Sequence, residues 1–374
     1  MLRCVAVVSS ERKDQAVKFS LAIDMARLTP EQDMRDVARE NLELVQMADR
    51  GGFEIVWVAE HHAIEMTIAP SPFQLLAWYG ANTDNIRLGT AVVQAPYWHP
   101  IKLAGEVGEV GMLDLISGGR VEFGIGRGAY QREFDRMMGG MDQHKGVAYM
   151  QEMLPLLKQL WAGDVAHDGE FWQFPSSTVA PKPLQKPHPP LWVAARHPTT
   201  YDWALPLGCN IMSWALTRPF GEVVKYKAQF EEALARSPDV ARPRFATMRA
   251  SAVYPREEDA GIYADAVVDG TRYFENLFKQ LGEVRNGFPE PIPIEALDNK
   301  DMLTPEALQA NLVFGTPEQV IAKLKDYEAL GVDNFFYRAM TNIPYDLQAQ
   351  SLRLFIDEVM PAFENSRHVH HAAE

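Results

Sequence analysis

Short apolar runs recur along this chain, and apolar positions at helical spacing fill the stretches between them. The runs fall at 17–25, 54–60, 86–93, 120–126, 190–195, 209–214, 244–253 and 334–337. Several are continuous rather than alternating. Ile55-Val56-Trp57-Val58-Ala59 is one, and it suits a strand buried on both faces. Helices are expected from about 29 to 49, near 70–82, 100–116, 145–161, 199–207, 220–236, 257–281 and 317–330, and over 345–365. Thr29-Pro30-Glu31 opens the first, with Gly51-Gly52 as its stop, and Thr316-Pro317-Glu318 opens a later one. Eight strands alternating with helices imply a parallel sheet, and eight is the number that closes a (β/α)8 TIM barrel. A doubly wound open sheet is the alternative.

The division expected is an N-terminal extension or extra strand at 1–16, one α/β barrel domain at 17–366 and a tail at 367–374. Insertions are expected near 163–189 and 257–312. The stretch 282–303 is too long for a plain connector and reads as an active-site lid. A formal net charge of −14 over 374 residues argues against nucleic acid or an anionic membrane as partner. An anionic cofactor would need a local cationic pocket. No apolar stretch has the length of a membrane span, and residues 1–16 lack the apolar core of a signal peptide. With only Cys4 and Cys209, a disulfide framework is ruled out and a reducing cytoplasm is expected.

Candidate chemistry gathers where the runs end. Glu60-His61-His62 follows the second run, at the strand end where parallel barrels build active sites. The histidines read as acid–base groups, with a metal pair or satisfied structural histidines as the other readings. Gly124-Ile125-Gly126-Arg127-Gly128 looks like a truncated dinucleotide fingerprint without its third glycine. Its glycines would let a flat ligand approach the backbone, and Arg127 would meet a phosphate or else a surface carboxylate. Arg196-His197-Pro198-Thr199-Thr200 could hold an anion at a helix start or simply cap that helix.

Taken in order, several segments resemble the bacterial luciferase-like flavin monooxygenases. They are Trp57 to His62, Arg87 to Val92, Pro96 with His99-Pro100, Ile116 to Arg120, Gly124 to Tyr130, Thr199-Thr200 with Ser213-Trp214, and Val313 to Pro317. The resemblance spans about 17 to 365 and implies an FMN-binding TIM barrel. It places the catalytic histidine at His61 and a flavin-site glutamate at Glu60. It implies cofactor contacts at Thr90, Ala91 and Val92, with a non-proline cis peptide between the last two. Further contacts implied are Arg127, Ala129, Lys145, Arg196, His197, Thr200 and Trp214. Three positions depart from the family pattern: Gly126 stands at the reactive cysteine, His197 at the phosphate serine and Arg196 at its acidic neighbour. The activity implied is monooxygenation of a small organic substrate with dioxygen and reduced FMN supplied by a separate flavin reductase. Trp57, Trp98, Trp214 and Tyr130 would line the pocket, and a homo-oligomer (dimer or tetramer) is expected. A deazaflavin-dependent oxidoreductase and a non-catalytic flavin-binding protein are the alternatives on the same fold.

Overall fold

The computed structural model describes residues 16–106 and 109–364. The proposed extension at 1–16, apart from Ala16, and the tail at 367–374 lie outside the described residues.

Eight parallel strands form the barrel: β1 Lys18–Ala22, β2 Ile55–Val58, β3 Arg87–Thr90, β4 Val121–Gly126, β5 Leu191–Ala194, β6 Asn210–Trp214, β7 Phe245–Val253 and β8 Asn334–Arg338. Each pairs with the next in chain order, and β8 pairs back onto β1 with Ala22 beside Arg338. The sheet therefore closes. Its interior is a small layer of large side chains, with Trp57 stacked on Phe336 and edge-on to Trp192. Gly89 makes this layer possible, because a Cβ there would sit 2.2 Å from the Trp57 ring. The larger core lies between strands and helices and joins Leu21, Val45, Leu88, Phe123, Leu157, Ile211 and Phe355.

The main helices are α1 Met34–Arg50, α2 Pro72–Ala81, α3 Val110–Ile116, α4 Gln131–Met137, α5 Gly146–Ala162, α6 Pro198–Ala204, α7 Phe220–Ala235, α8 Ala260–Lys279, α9 Pro305–Asn311, α10 Pro317–Ala329 and α11 Tyr345–Leu354. Helix α1 starts later than the Thr29-Pro30-Glu31 signal suggests. Asp33 is the cap, accepting the Arg35 N–H, while the Gln32 side chain holds the preceding turn. Gly52, at φ +82°, ends it. The helix expected over 100–116 is broken. A π-turn at Lys102–Glu106 precedes α3, and Gly105 lies against the Pro181 carbonyl. The 163–189 insertion holds an antiparallel hairpin, Val165–Asp168 with Gln173–Ser177. Residues 254–312 form the larger excursion, and its Tyr254, Tyr263 and Leu308 share a buried cluster with Phe314. Among the described residues, no helix is long and apolar enough to cross a membrane.

Candidate active site

The C-terminal ends of β1, β2, β6, β7 and β8 open into a cavity of about 270 Å³, roofed by α8. Trp57, Tyr130, Trp214 and Phe274 form its aromatic walls. Asp24, His61 and Arg338 are the ionisable side chains at its barrel end.

His61 stands at the end of β2 with its ring stacked on Tyr130, centroids 4.6 Å apart. Its Nδ1–H donates to Glu133 Oε1 at 3.0 Å. The Nε2 atom is then the nitrogen available to a ligand. Glu133 comes from α4 and is completely buried. It also accepts the His62 backbone N–H at 2.7 Å and Gln94 Nε2 at 3.2 Å. Burial opposes a charge on the His61 ring, but the Glu133 carboxylate outweighs it and raises the imidazole above its ordinary value. Burial likewise opposes charge on Glu133, yet His61 and the donated hydrogen bonds hold its pKa low. Nothing in the local sequence marks Glu133. The one available signal is a carboxylate on a short helix right after the Gly124–Tyr130 segment.

Glu60 stands just past the end of β2. It is 1% exposed and does not line the cavity. Its carboxylate accepts from Gln94 N at 2.6 Å, His62 Nε2 at 2.8 Å and Trp98 Nε1 at 2.9 Å. Glu60 therefore ties the β2 end to the segment after β3, and a buried carboxylate demands that many donors. Trp98 is accordingly an outer support, not a cavity wall.

The Ala91–Val92 peptide is cis. Ala91 lines the cavity, whereas Val92 packs on Gly126. The Thr90 hydroxyl is taken up by β4, donating to Gly124 O at 2.8 Å and accepting Gly124 N–H at 2.9 Å. Two glycines of the 124–128 run serve the sheet. A Cβ at Gly124 would strike the Thr90 carbonyl, and one at Gly126 would strike Val92. Ala129 packs in a satellite cluster with Ile64, Tyr130 and Leu277.

The remaining expected contacts gather at a second place. Arg127, at the end of β4, is half-buried and donates to Gln143 O at 3.4 Å. Burial lowers its pKa, and the nearby Arg196 guanidinium lowers it further. Two like charges thus lie near each other. Lys145 ends the turn that follows Gln143 and leads into α5, and Gly146 lies against the Arg127 carbonyl. His197 caps α6 with Nδ1 3.0 Å from Thr199 Oγ1, and the Thr200 N–H bonds to His197 O. None of Arg127, Lys145, Arg196, His197 or Thr200 lines the apolar cavity, but Trp214 does, with the Arg338 guanidinium 5.4 Å from its ring centroid. No group of three or more metal-ligand side chains occurs among the described residues.

A closed parallel barrel with a histidine and a buried acid at its C-terminal mouth is the plan of a TIM-barrel enzyme. The chain belongs to the luciferase-like monooxygenase family, whose model matches residues 17–334. It is 42% identical over 351 residues to the oxygenase component of the flavin-dependent trigonelline monooxygenase of Acinetobacter baylyi, covering 94% of this chain and 97% of that one. Monooxygenase RslO1 of Streptomyces bottropensis has a similar structure, with a TM-score of 0.78, 25% identity and coverage of 92% and 99%. The oxygenating constituent of 3,6-diketocamphane monooxygenase of Pseudomonas putida, solved with FMN, has a TM-score of 0.72 and covers 93% and 99%. At 19% identity that likeness speaks for the fold. This chain is a flavin-dependent monooxygenase.

Proposed function

We propose that the chain is the oxygenase half of a two-component system. It takes reduced FMN from a separate flavin reductase and uses dioxygen to oxygenate a small N-heteroaromatic carboxylate. The observation that carries the reading is the His61–Glu133 pair, set at the barrel mouth and facing an aromatic-walled cavity. The 42%-identical relative, named for trigonelline and for an oxygenase component, supports both the substrate class and the reductase. The fit to FMN rests on the donor set. In a chain of net charge −14, Arg127 and Arg196 lie close enough to repel, which suits a phosphate between or beside them.

Reduced flavin, when bound, supplies the electrons that activate dioxygen for transfer of one oxygen atom to the substrate. The chain's own residues do the rest. Glu133 holds the Nδ1–H of His61, fixing the ring so that Nε2 gives or takes the proton. Trp57, Tyr130, Trp214 and Phe274 keep the cavity apolar and exclude water. Arg127, Arg196, Lys145 and Thr200 would hold the phosphate, and Ala91 would meet the flavin ring.

The test supplies reduced FMN and labelled dioxygen with trigonelline or a related pyridine carboxylate. One labelled oxygen atom in the product is the expected result. Substrate oxidation that proceeds without oxygen on a deazaflavin would replace this reading.

A further inference from the structure

One ion pair stands inside the cavity, on the opposite side from the cationic Arg127–Arg196 region. The β1–β8 register puts Ala22 beside Arg338, and Asp24 lies two residues past Ala22, just beyond the end of β1. Arg338 Nη2 meets Asp24 Oδ2 at 2.5 Å, with side-chain exposures of 25% and 8%. The Arg338 guanidinium also lies over Trp214, so its plane is held from two directions. Both charges line the cavity, among apolar neighbours such as Ile23, Met248 and Met340.

A pair so placed is a poor device for stability, because desolvating two charges offsets most of their attraction. It is a good device for recognition, because wrong partners leave a buried charge unmatched. We infer that the Asp24–Arg338 pair is the specificity determinant, reading a small zwitterion by docking its carboxylate on Arg338 and its cation toward Asp24 and the aromatic walls. The pair is a fixed dipole. A zwitterion laid antiparallel to it leaves the cavity's net charge unchanged. A bare anion or a bare cation adds one charge to a low-dielectric space. Arg338 has five N–H donors, and Asp24 engages one edge of the guanidinium, so a second carboxylate can be accepted.

The inference rests on the proposed oxygenase reading for its substrate class, but its deciding readout, probe binding, needs neither flavin nor oxygen. Binding of three probes is measured by calorimetry: 1-methylnicotinate (zwitterion), nicotinate (anion) and 1-methylnicotinamide (cation). Unaltered protein should prefer the zwitterion over either single charge by about tenfold or more, the scale of a charge-assisted hydrogen bond. Arg338→Met should abolish that preference. It also strands Asp24, so the double variant Asp24→Asn/Arg338→Met is made as well. It should keep the melting temperature and FMN affinity of the parent while binding all three probes about equally. Equal binding of the three probes by unaltered protein would overturn the assignment. So would a double variant that folds and still prefers the zwitterion. Failure of turnover with the zwitterion bound would instead remove the proposed reaction and leave the recognition pair standing.

Discussion

At the scale of residues, the pair proposed to set the chemistry joins positions 61 and 133, and charge is its main content. Because His61 is raised by Glu133, their attraction stabilises the fold fully below the unfolded imidazole value of about 6.5. It is lost as pH rises through the higher folded value. Glu133 is lowered from 4.5, so its contribution is present above 4.5 and is lost as pH falls through the depressed value. Glu133→Gln removes the attraction and leaves the burial. The His61 pKa should then fall below that of the parent, and any His61-dependent limb of the turnover profile should move to lower pH. Histidine titration by NMR reads this directly, and an unmoved His61 would exclude Glu133 as its partner. Arg127→Ala should weaken FMN by about tenfold or more while leaving riboflavin nearly unaffected, since only FMN carries the phosphate. Equal losses for both flavins in a fluorescence titration would move Arg127 away from the phosphate. The positions of His61 and Arg127 are legible in the sequence because each follows an apolar run that ends at the barrel mouth. Glu133, Asp24 and Arg338 were not, because each acquires its partner only when distant segments meet. Glu60 was legible as a special carboxylate, but its donors Gln94 and Trp98 come from the segment beyond β3.

At the scale of elements, periodicity located all eight barrel strands, because a parallel strand covered on both faces must be an apolar run. Breaks within elements were harder to see. The interruption of the 100–116 helix depends on Gly105 meeting the backbone of another loop, and local propensity carries no trace of that contact. The expected lid at 282–303 is more firmly held than its prolines and glycines imply. Its hairpin, Val284–Arg285 with Phe288–Pro289, is pinned where Glu65 N–H donates to Gly287 O and Arg27 lies over Phe288. Ile292, Leu297 and Leu303 are buried, so excising the segment would expose core. Asn299 nevertheless lines the cavity, and its Oδ1 is buried without a hydrogen-bond partner among the described residues. The segment should therefore open locally, as loops over binding sites do. In hydrogen exchange, amides across 283–303 should exchange faster than those of the barrel strands in the free protein. They should slow when flavin and substrate are both bound. Strand-like protection in the free protein would make the segment a fixed wall.

At the scale of the whole molecule, the surface carries a strong net negative charge, which keeps copies apart unless something apolar draws them together. Helices α2 and α3 supply such a face. Met112, Leu115 and Ile116 lie at i, i+3 and i+4 on α3, all exposed, with Ile116 at 62%. Trp78 is exposed on the adjoining α2. Soluble monomers seldom leave such a stripe open to water. The homo-oligomer expected from the sequence would bury this face, with a two-fold axis setting one stripe against the other. The buried contact would be apolar, so added salt should screen the charge repulsion and leave the dimer at least as strong. Light scattering after size exclusion should give twice the chain mass for the parent. Ile116→Glu, which sets two carboxylates against each other across the axis, should give the chain mass alone with FMN binding intact. A parent that elutes as a monomer at high concentration, or an Ile116→Glu variant that stays dimeric, would take the interface off this face.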